Sequence, residues 1–141
     1  MQINNSHIVV SQIAPPISDF VSLRANCGWG TISVDQAKMA LQNSLFVVSV
    51  LDKQRTIGFG RIVGDRALNF YIQDVVVDAN YRHSGIGGAI ISNLLDQLRL
   101  SGSAGCTVGL MAAAGKESFY RQFGFIERPS TTFGAGMTLD L

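Results

Sequence analysis

The stretch "YRHSGIGGAII", residues 81–91, is the part of the sequence best suited to bind a ligand. Gly85, Gly87 and Gly88 follow the apolar run "YIQDVVVD" and precede a helix-like pattern. Glycine destabilises a helix or a strand that contains it. Three glycines at this junction therefore indicate a place where the backbone must stay free of side chains. The first amides of a helix lack partners within the helix, and the helix dipole adds positive charge there. The pattern therefore predicts a site for an anion such as a phosphate.

Two common phosphate-binding patterns do not fit this chain. The dinucleotide pattern requires a glycine at position 90, which is Ile90. The stretch "GKES" imitates a nucleotide P-loop, but Leu110 and Glu117 stand where that pattern requires a glycine and a serine or threonine. What remains is the pattern R-x-x-G-x-G at residues 82–87.

Asp74 is an acidic residue in an otherwise apolar strand, directly before the three valines that lead to the glycines. A carboxylate buried in such a strand can take up a proton near neutral pH, which makes Asp74 a candidate catalytic base. The alternative is structural, with the carboxylate bonding backbone amides at a strand bulge. A relay of water molecules is the competing route for a proton.

Hydrophobic periodicity predicts an α/β protein with helices packed on a sheet. Ser33 and Gln36 form a predicted capping box, and Gly28, Gly102 and Gly124 are expected to end helices. The predicted strands cover residues 7–13, 45–52, 56–64, 67–78, 106–112 and 134–141. The predicted helices cover residues 18–27, 33–44, 87–102 and 116–124.

Composition narrows the class of protein. A chain of 141 residues suits one domain over 1–141, and 47% hydrophobic with 15% charged residues is an ordinary globular composition. A formal net charge of +1 gives no reason to expect nucleic acid or an anionic membrane as a partner. Cys27 and Cys106 lack the spacing of a zinc site or disulfide framework, so we expect no metal. We expect no signal peptide, no membrane span and a cytoplasmic location.

Two stretches resemble the signatures of one enzyme family. "VVVDANYRHSGIGGAII" resembles the acetyl-coenzyme A loop of the GNAT superfamily of N-acetyltransferases, and "AAAGKESFYRQFGF" resembles that family's second signature. The predicted element order is similar along nearly the whole chain. The resemblance implies the GNAT fold, a mixed central β-sheet with a splay between two parallel strands and helices on both faces.

The resemblance also implies roles for particular residues. The backbone of Val75–Val77 would pair with the pantetheine arm of acetyl-coenzyme A as an added strand, and the amides of residues 83–88 would hold its pyrophosphate. Arg82 would begin that loop, either on a phosphate or in solvent. Tyr120 would protonate the leaving thiolate, the alternative being a core aromatic. The residues implied in coenzyme binding are Val75, Val76, Val77, Arg82, His83, Ser84, Gly85, Ile86, Gly87 and Gly88.

Trp29 is the single tryptophan, and it lies between Gly28 and Gly30 in the connector of the first two helices. In the GNAT family this connector usually forms part of the acceptor wall, so Trp29 is a candidate substrate-binding residue. The alternative is an aromatic plug that closes the core.

The resemblance implies an acetyl-coenzyme A-dependent N-acetyltransferase, in which a primary amine attacks directly within a ternary complex. The acceptor is a small-molecule or protein amine. The alternatives are a non-catalytic acyl-coenzyme A sensor and a plain interaction domain. Which amine is used, whether a longer acyl group is preferred and whether the protein is a homodimer stay open at this point.

Overall fold

The computed structural model describes residues 7–102 and 104–141. The chain forms two compact units, the first ending at Gly109 and the second running from Leu110 to Leu141. Within the described residues, no helix is both long and apolar enough to cross a membrane.

The first unit contains a five-stranded sheet in the order β1-β2-β3-β4-β5. Neighbouring strands are antiparallel except for β4 and β5, which are parallel. The sheet is therefore mixed, as the family resemblance implies. The strands are β1 (Ile8–Ser11), β2 (Phe46–Asp52), β3 (Arg55–Gly64), β4 (Asn69–Val77) and β5 (Thr107–Gly109).

The helices begin and end close to the predicted signals. Ser33 caps its helix by the predicted box: its hydroxyl accepts from the Gln36 amide, while the Gln36 side chain accepts from the Ser33 amide. Gly28, Gly102 and Gly124 follow helices with φ of 79°, 77° and 90°, a conformation that suits glycine after a helix. The helices are α1 (Ile17–Asn26), α2 (Val34–Gln42), α3 (Ile86–Leu100) and α4 (Glu117–Arg121), with a 3₁₀ turn at Ala79–Tyr81.

Helices cover both faces of the sheet. The buried stripe of α3 packs against β2, β3 and β4, and a side chain at Gly60 would place its Cβ 2.6 Å from Ile90. Because side chains alternate along a strand, Phe59 points to the opposite face. There it joins a core cluster with Phe20, Leu23, Ala37 and Val76.

The parallel strands β4 and β5 separate early. They pair only at Asn69–Thr107, Phe70–Val108 and Tyr71–Gly109. Strand β4 then continues to Val77, so within residues 7–102 and 104–141 its segment 72–77 has no strand partner on the side of β5, and we call this segment the free edge of β4. This is the splay that the family resemblance implies, and it accompanies a β5 that is shorter than the predicted strand 106–112.

The second unit differs from its prediction at the end of the chain. Tyr120 of α4 packs edge-on against Phe119 and Phe125. Residues 134–141, however, form no strand, so the predicted last strand is wrong. Met137 and Leu139 alternate with polar residues, but both are highly exposed. Alternation alone does not make a strand, because a strand also requires a partner for its backbone.

Candidate active site

The loop between β4 and α3 is held by local contacts and by two bonds to neighbouring strands: the Tyr81 hydroxyl donates to Asp52 at 2.7 Å, and Arg55 bonds Asp78 at 2.7 Å. Asp78 accepts a hydrogen bond from the Asn80 amide at 2.9 Å, and the Ser84 hydroxyl donates to the carbonyl of Tyr81. His83 and Gly85 adopt left-handed φ values of 61° and 85°. These two residues turn the chain sharply into the first turn of α3.

The N-terminus of α3 provides donors for an anion. Gly85 is the capping residue, and it has no side chain to bond the first amides. The first hydrogen bond of the helix runs from the Ala89 amide to the Gly85 carbonyl at 3.0 Å. The amides of Ile86, Gly87 and Gly88 precede it and have no acceptor within the helix. No acidic residue lies in this first turn, so the positive end of the dipole is not neutralised from within.

Arg82 lies beside this loop and folds back toward β4. Its Nε donates to the Val77 carbonyl at 3.3 Å, and one terminal nitrogen lies 3.8 Å from the sulfur of Cys27 at the end of α1. Arg82 also lines a cleft of about 360 Å³ between the end of α1 and the end of β4. His83 and Ser84 are exposed on the loop.

The middle of the free edge carries a β-bulge. Phe59 pairs with Val76 and Arg61 pairs with Gln73, so Gly60 alone faces both Asp74 and Val75. Asp74 adopts a left-handed φ of 57°, as the extra residue of a bulge can. The bulge takes backbone groups at this point out of the ladder with β3.

Asp74 is buried, as predicted, but its partners are two arginines that the sequence analysis missed. One carboxylate oxygen accepts a bond from Arg24 of α1, and the other accepts a 2.7 Å bond from Nε of Arg61 on β3. One terminal nitrogen of Arg61, Nη1, lies 3.4 Å from the Ala40 carbonyl of α2 and 3.4 Å from the hydroxyl of Ser44, just after that helix. Arg24, Asp74 and Arg61 form a charged cluster. This cluster joins helices α1 and α2 to strands β3 and β4.

A sequence signal for the charged cluster does exist. Arg61 is a single basic residue in the apolar strand "TIGFGRIVG", and Asp74 is a single acidic residue in the next apolar strand. Charges inside such strands are rarely buried without a partner. The pairing of adjacent strands could have suggested this contact, but nothing local indicates Arg24.

Trp29 is half-exposed and lies over the charged cluster. The residue is 41% exposed, and the guanidinium carbon of Arg24 lies 5.7 Å from the centroid of its ring. The Trp29 amide donates to the Arg24 carbonyl at 3.3 Å. The flanking residues Gly28 and Gly30 both have left-handed φ values, 79° and 74°. A ring this exposed differs from the fully buried aromatics of the core, such as Phe20.

Tyr120 belongs to the second unit and is partly buried. Burial raises the pKa of its phenol above the ordinary value of 10.0, because the charged phenolate is poorly solvated there. The hydroxyl therefore keeps its proton at neutral pH and can act as a donor. Among residues 7–102 and 104–141, no three histidine, cysteine, aspartate or glutamate side chains come together as metal ligands would.

Known proteins are similar to this chain in both sequence and architecture. The chain is 32% identical over 111 residues to the uncharacterized N-acetyltransferase ycf52 of Pyropia yezoensis, an alignment covering 76% of this chain and 63% of that protein. It is 31% identical to GCN5-related N-acetyltransferase 1, chloroplastic, of Arabidopsis thaliana, with 77% and 55% covered. The chain thus spans a little over half of these curated relatives.

The fold has a near counterpart among solved structures. A Staphylococcus aureus protein described as a probable acetyltransferase superposes with a TM-score of 0.85 at 29% identity, covering 95% of this chain and 99% of that one. A model of the acetyltransferase (GNAT) domain matches residues 28–139, which include the glycine loop, the bulge, Trp29 and Tyr120. The chain belongs to the GNAT acetyltransferase family.

Proposed function

We propose that this protein is an acetyl-coenzyme A-dependent N-acetyltransferase that acts on a primary amine. The observation that carries the proposal is the free edge of β4, which runs through a bulge and ends at the uncapped N-terminus of α3. A free strand edge can pair with an extended amide-containing arm, and a helix N-terminus binds phosphate. Acetyl-coenzyme A has both groups on one molecule, and it supplies an acetyl group on a thioester.

The residues present fit this co-substrate. The backbone of Val75, Val76 and Val77 would bond the amides of the pantetheine arm along the free edge. The amides of residues 83–88 would hold the pyrophosphate, where Gly85 leaves the helix start without a competing side chain. Arg82 would add positive charge at the entrance to the loop.

The bulge suits the site of acetyl transfer. An amide released from the ladder with β3, that of Val75 in this proposal, would donate to the carbonyl oxygen on which negative charge develops. Holding the amine against the carbonyl carbon supplies much of the remaining rate, because orientation replaces a bimolecular encounter.

Asp74 fits a positioning role better than that of a base. Both of its oxygens already accept bonds from guanidinium groups, and protonation would leave Arg24 and Arg61 without their counter-ion. We therefore assign Asp74 to holding the bulge, and assign removal of the amine proton to water. Tyr120, which retains its proton at neutral pH, would protonate the departing thiolate.

The test has two steps on the full chain. A thermal-shift scan with acetyl-coenzyme A measures binding, and release of free thiol against a panel of primary amines measures transfer. We expect both a shift and turnover. Binding without turnover on any amine would favour an acyl-coenzyme A sensor instead, and no binding would leave only an interaction domain.

A further inference from the structure

The charged cluster beside the bulge carries more positive than negative charge. It contains two guanidinium groups and a single carboxylate, and all three are largely removed from water, with side chains 16%, 13% and 1% exposed for Arg24, Arg61 and Asp74. A charge taken out of water is costly unless an opposite charge balances it. One positive charge of this cluster therefore lacks a counter-ion within the cluster itself.

Arg24 is the member whose bonding is incomplete. Its Nε is buried, and within the described residues it has no hydrogen-bond partner. Arg61 differs, because its Nε bonds Asp74 at 2.7 Å and its Nη1 bonds the Ala40 carbonyl of α2 and the hydroxyl of Ser44, which follows that helix. An unsatisfied donor on a charged group is among the more expensive defects in a folded protein. An anion at the exposed part of the Arg24 guanidinium would supply the negative charge that the cluster lacks.

Arg24, whose Nε lacks a partner among the described residues, lies close to the bulge in the free edge of β4. Arg24 lies in the last turn of α1, bonds Asp74 at the bulge, and has Trp29 5.7 Å from its guanidinium carbon. The glycine-flanked ring thus covers the arginine at the point where acetyl transfer is proposed. A ligand group that meets Trp29 there also meets Arg24.

The same geometry disfavours a cationic group at Trp29. An aromatic ring attracts a cation over its face, but here a guanidinium already lies near the ring. A second cation would meet a like charge within a few ångströms, in surroundings that screen it less than water does. Polyamines and lysine-rich segments are therefore poor candidates for this position.

We propose that Arg24 anchors a carboxylate on the acceptor, so that the preferred substrate is a small amine carrying that group, as an amino acid does. One carboxylate oxygen would accept from the guanidinium beneath Trp29, and the amine would then lie toward the bulge. This proposal rests on the proposed acetyl transfer and names its substrate class.

Matched amines test the proposal by differing only in the carboxylate. Phenylalanine is compared with phenethylamine, and lysine with cadaverine, by kcat/KM at saturating acetyl-coenzyme A. We expect the carboxylated member of each pair to be preferred by about 10-fold or more, since a hydrogen bond to a charged group is worth about that factor. A wild-type ratio at or below one in both pairs overturns the proposal.

Two arginine variants separate recognition from structural support. In Arg24→Gln the preference should fall to about one, whereas in Arg61→Gln both members of a pair should lose rate together and keep their ratio. A merely structural arginine would lower both amines alike, so an unchanged ratio in a folded Arg24→Gln protein also overturns the proposal. Should that variant unfold, Arg24→Lys replaces it, with a reduced ratio expected because lysine lacks the planar fork.

A binding measurement distinguishes failure of this inference from failure of the proposed function. Trp29 is the single tryptophan, so intrinsic fluorescence reports directly on ligands beside Arg24. In the presence of coenzyme A, phenylalanine and lysine should change this signal at lower concentrations than phenethylamine and cadaverine. Such discrimination supports the subsite even where no amine is turned over, and its absence overturns the subsite even where acetyl transfer is found.

Discussion

The two halves of the free edge of β4 are built in different ways. At its end, the loop is held partly by near neighbours such as Ser84 with Tyr81, and partly by β2 and β3, since Tyr81 bonds Asp52 and Arg55 bonds Asp78. The donors that this loop offers to an anion are nevertheless backbone amides. At its middle, the bulge is held by side chains from distant parts of the chain, with Arg24 fifty residues and Arg61 thirteen residues from Asp74.

This difference indicates which substitutions each half of the site tolerates. A site made of backbone amides tolerates many side chains but not a group that fills the space of the anion. A site made of buried charges tolerates little, because removing one partner leaves another charge unpaired. The loop thus suits an invariant co-substrate, whereas the charged cluster and Trp29 can be matched to one acceptor.

The largest expected effect is at the middle of the edge. Asp74→Asn removes the shared counter-ion of Arg24 and Arg61 and should lower the free energy of unfolding by ~3–5 kcal/mol, the usual cost of breaking a buried ion pair. Urea denaturation of the two proteins measures it.

An exposed ion pair provides the control for this variant. Asp96 bonds Arg99 at 3.0 Å, and both side chains are more than half exposed. Asp96→Asn should therefore barely change the urea midpoint. If Asp74→Asn behaved like Asp96→Asn, the charged cluster would not hold the bulge, and the contrast between the two halves would disappear.

The features that the sequence predicted correctly depend on residues close together along the chain. The capping box at Ser33, the glycine stops and the glycine loop depend on residues a few positions apart, and all lie where they were predicted. The early separation of β4 from β5 followed only from the family resemblance, since no local pattern marks where two distant strands stop pairing.

The failures depend on long-range contacts. The alternation at Met137 and Leu139 predicted a strand, but a strand also needs a partner, which a single sequence does not specify. Asp74 was expected to be buried, yet its role was left between base and bulge, because Arg24 and Arg61 are brought to it only by the packing of α1 and β3. Roles for Tyr120 and the valines of β4 stay predictions.

At the loop end of the edge, Gly87→Asp places a carboxylate in the first turn of α3. An acidic residue there complements the helix dipole, so the fold should survive, while the anion site is filled. Acetyl-coenzyme A at 100 times its Kd should stabilise the wild type by ~2.7 kcal/mol, and the variant should lose this stabilisation. Thermal unfolding with and without ligand measures both.

Gly134→Asp is the matched control for charge and residue type. Gly134 has open space around its Cβ position and no left-handed φ, so the same substitution should leave the thermal shift intact. Calorimetry showing equal affinity in folded Gly87→Asp and in the wild type would exclude the α3 N-terminus as the phosphate site.

The Tyr120 hydroxyl tests the chemical step separately from the loop and the bulge. Tyr120→Phe keeps the ring against Phe119 and Phe125 and should reduce turnover roughly 10²-fold while acetyl-coenzyme A affinity stays constant. Because burial raises the phenol pKa above 10.0, ionisation of this group should not halve the wild-type rate until the pH is above 10.0.

Turnover of Tyr120→Phe must be compared under conditions where chemistry limits the rate. The burst phase shows whether this holds, since rapid release of the first product followed by a slower steady state marks a later limiting step. Equal single-turnover rates in the two proteins would assign Tyr120 to packing alone.

The smallest expected effect concerns Trp29, on the acceptor side of the site. Trp29→Ala removes the half-exposed ring beside Arg24, and with it a cation–π contact worth ~0.5–2 kcal/mol that helps to hold the guanidinium. Because Arg24 is the proposed anchor of the acceptor, KM for the best amine should rise about 2- to 30-fold. KM for acetyl-coenzyme A should stay nearly constant, because the proposed coenzyme site consists mainly of backbone at the other end of β4. A ring that merely closed the core would instead cost ~3–5 kcal/mol of stability and impair both substrates alike. Melting temperature and both KM values, measured on this one variant, therefore decide whether the middle of the edge selects the acceptor independently of the loop.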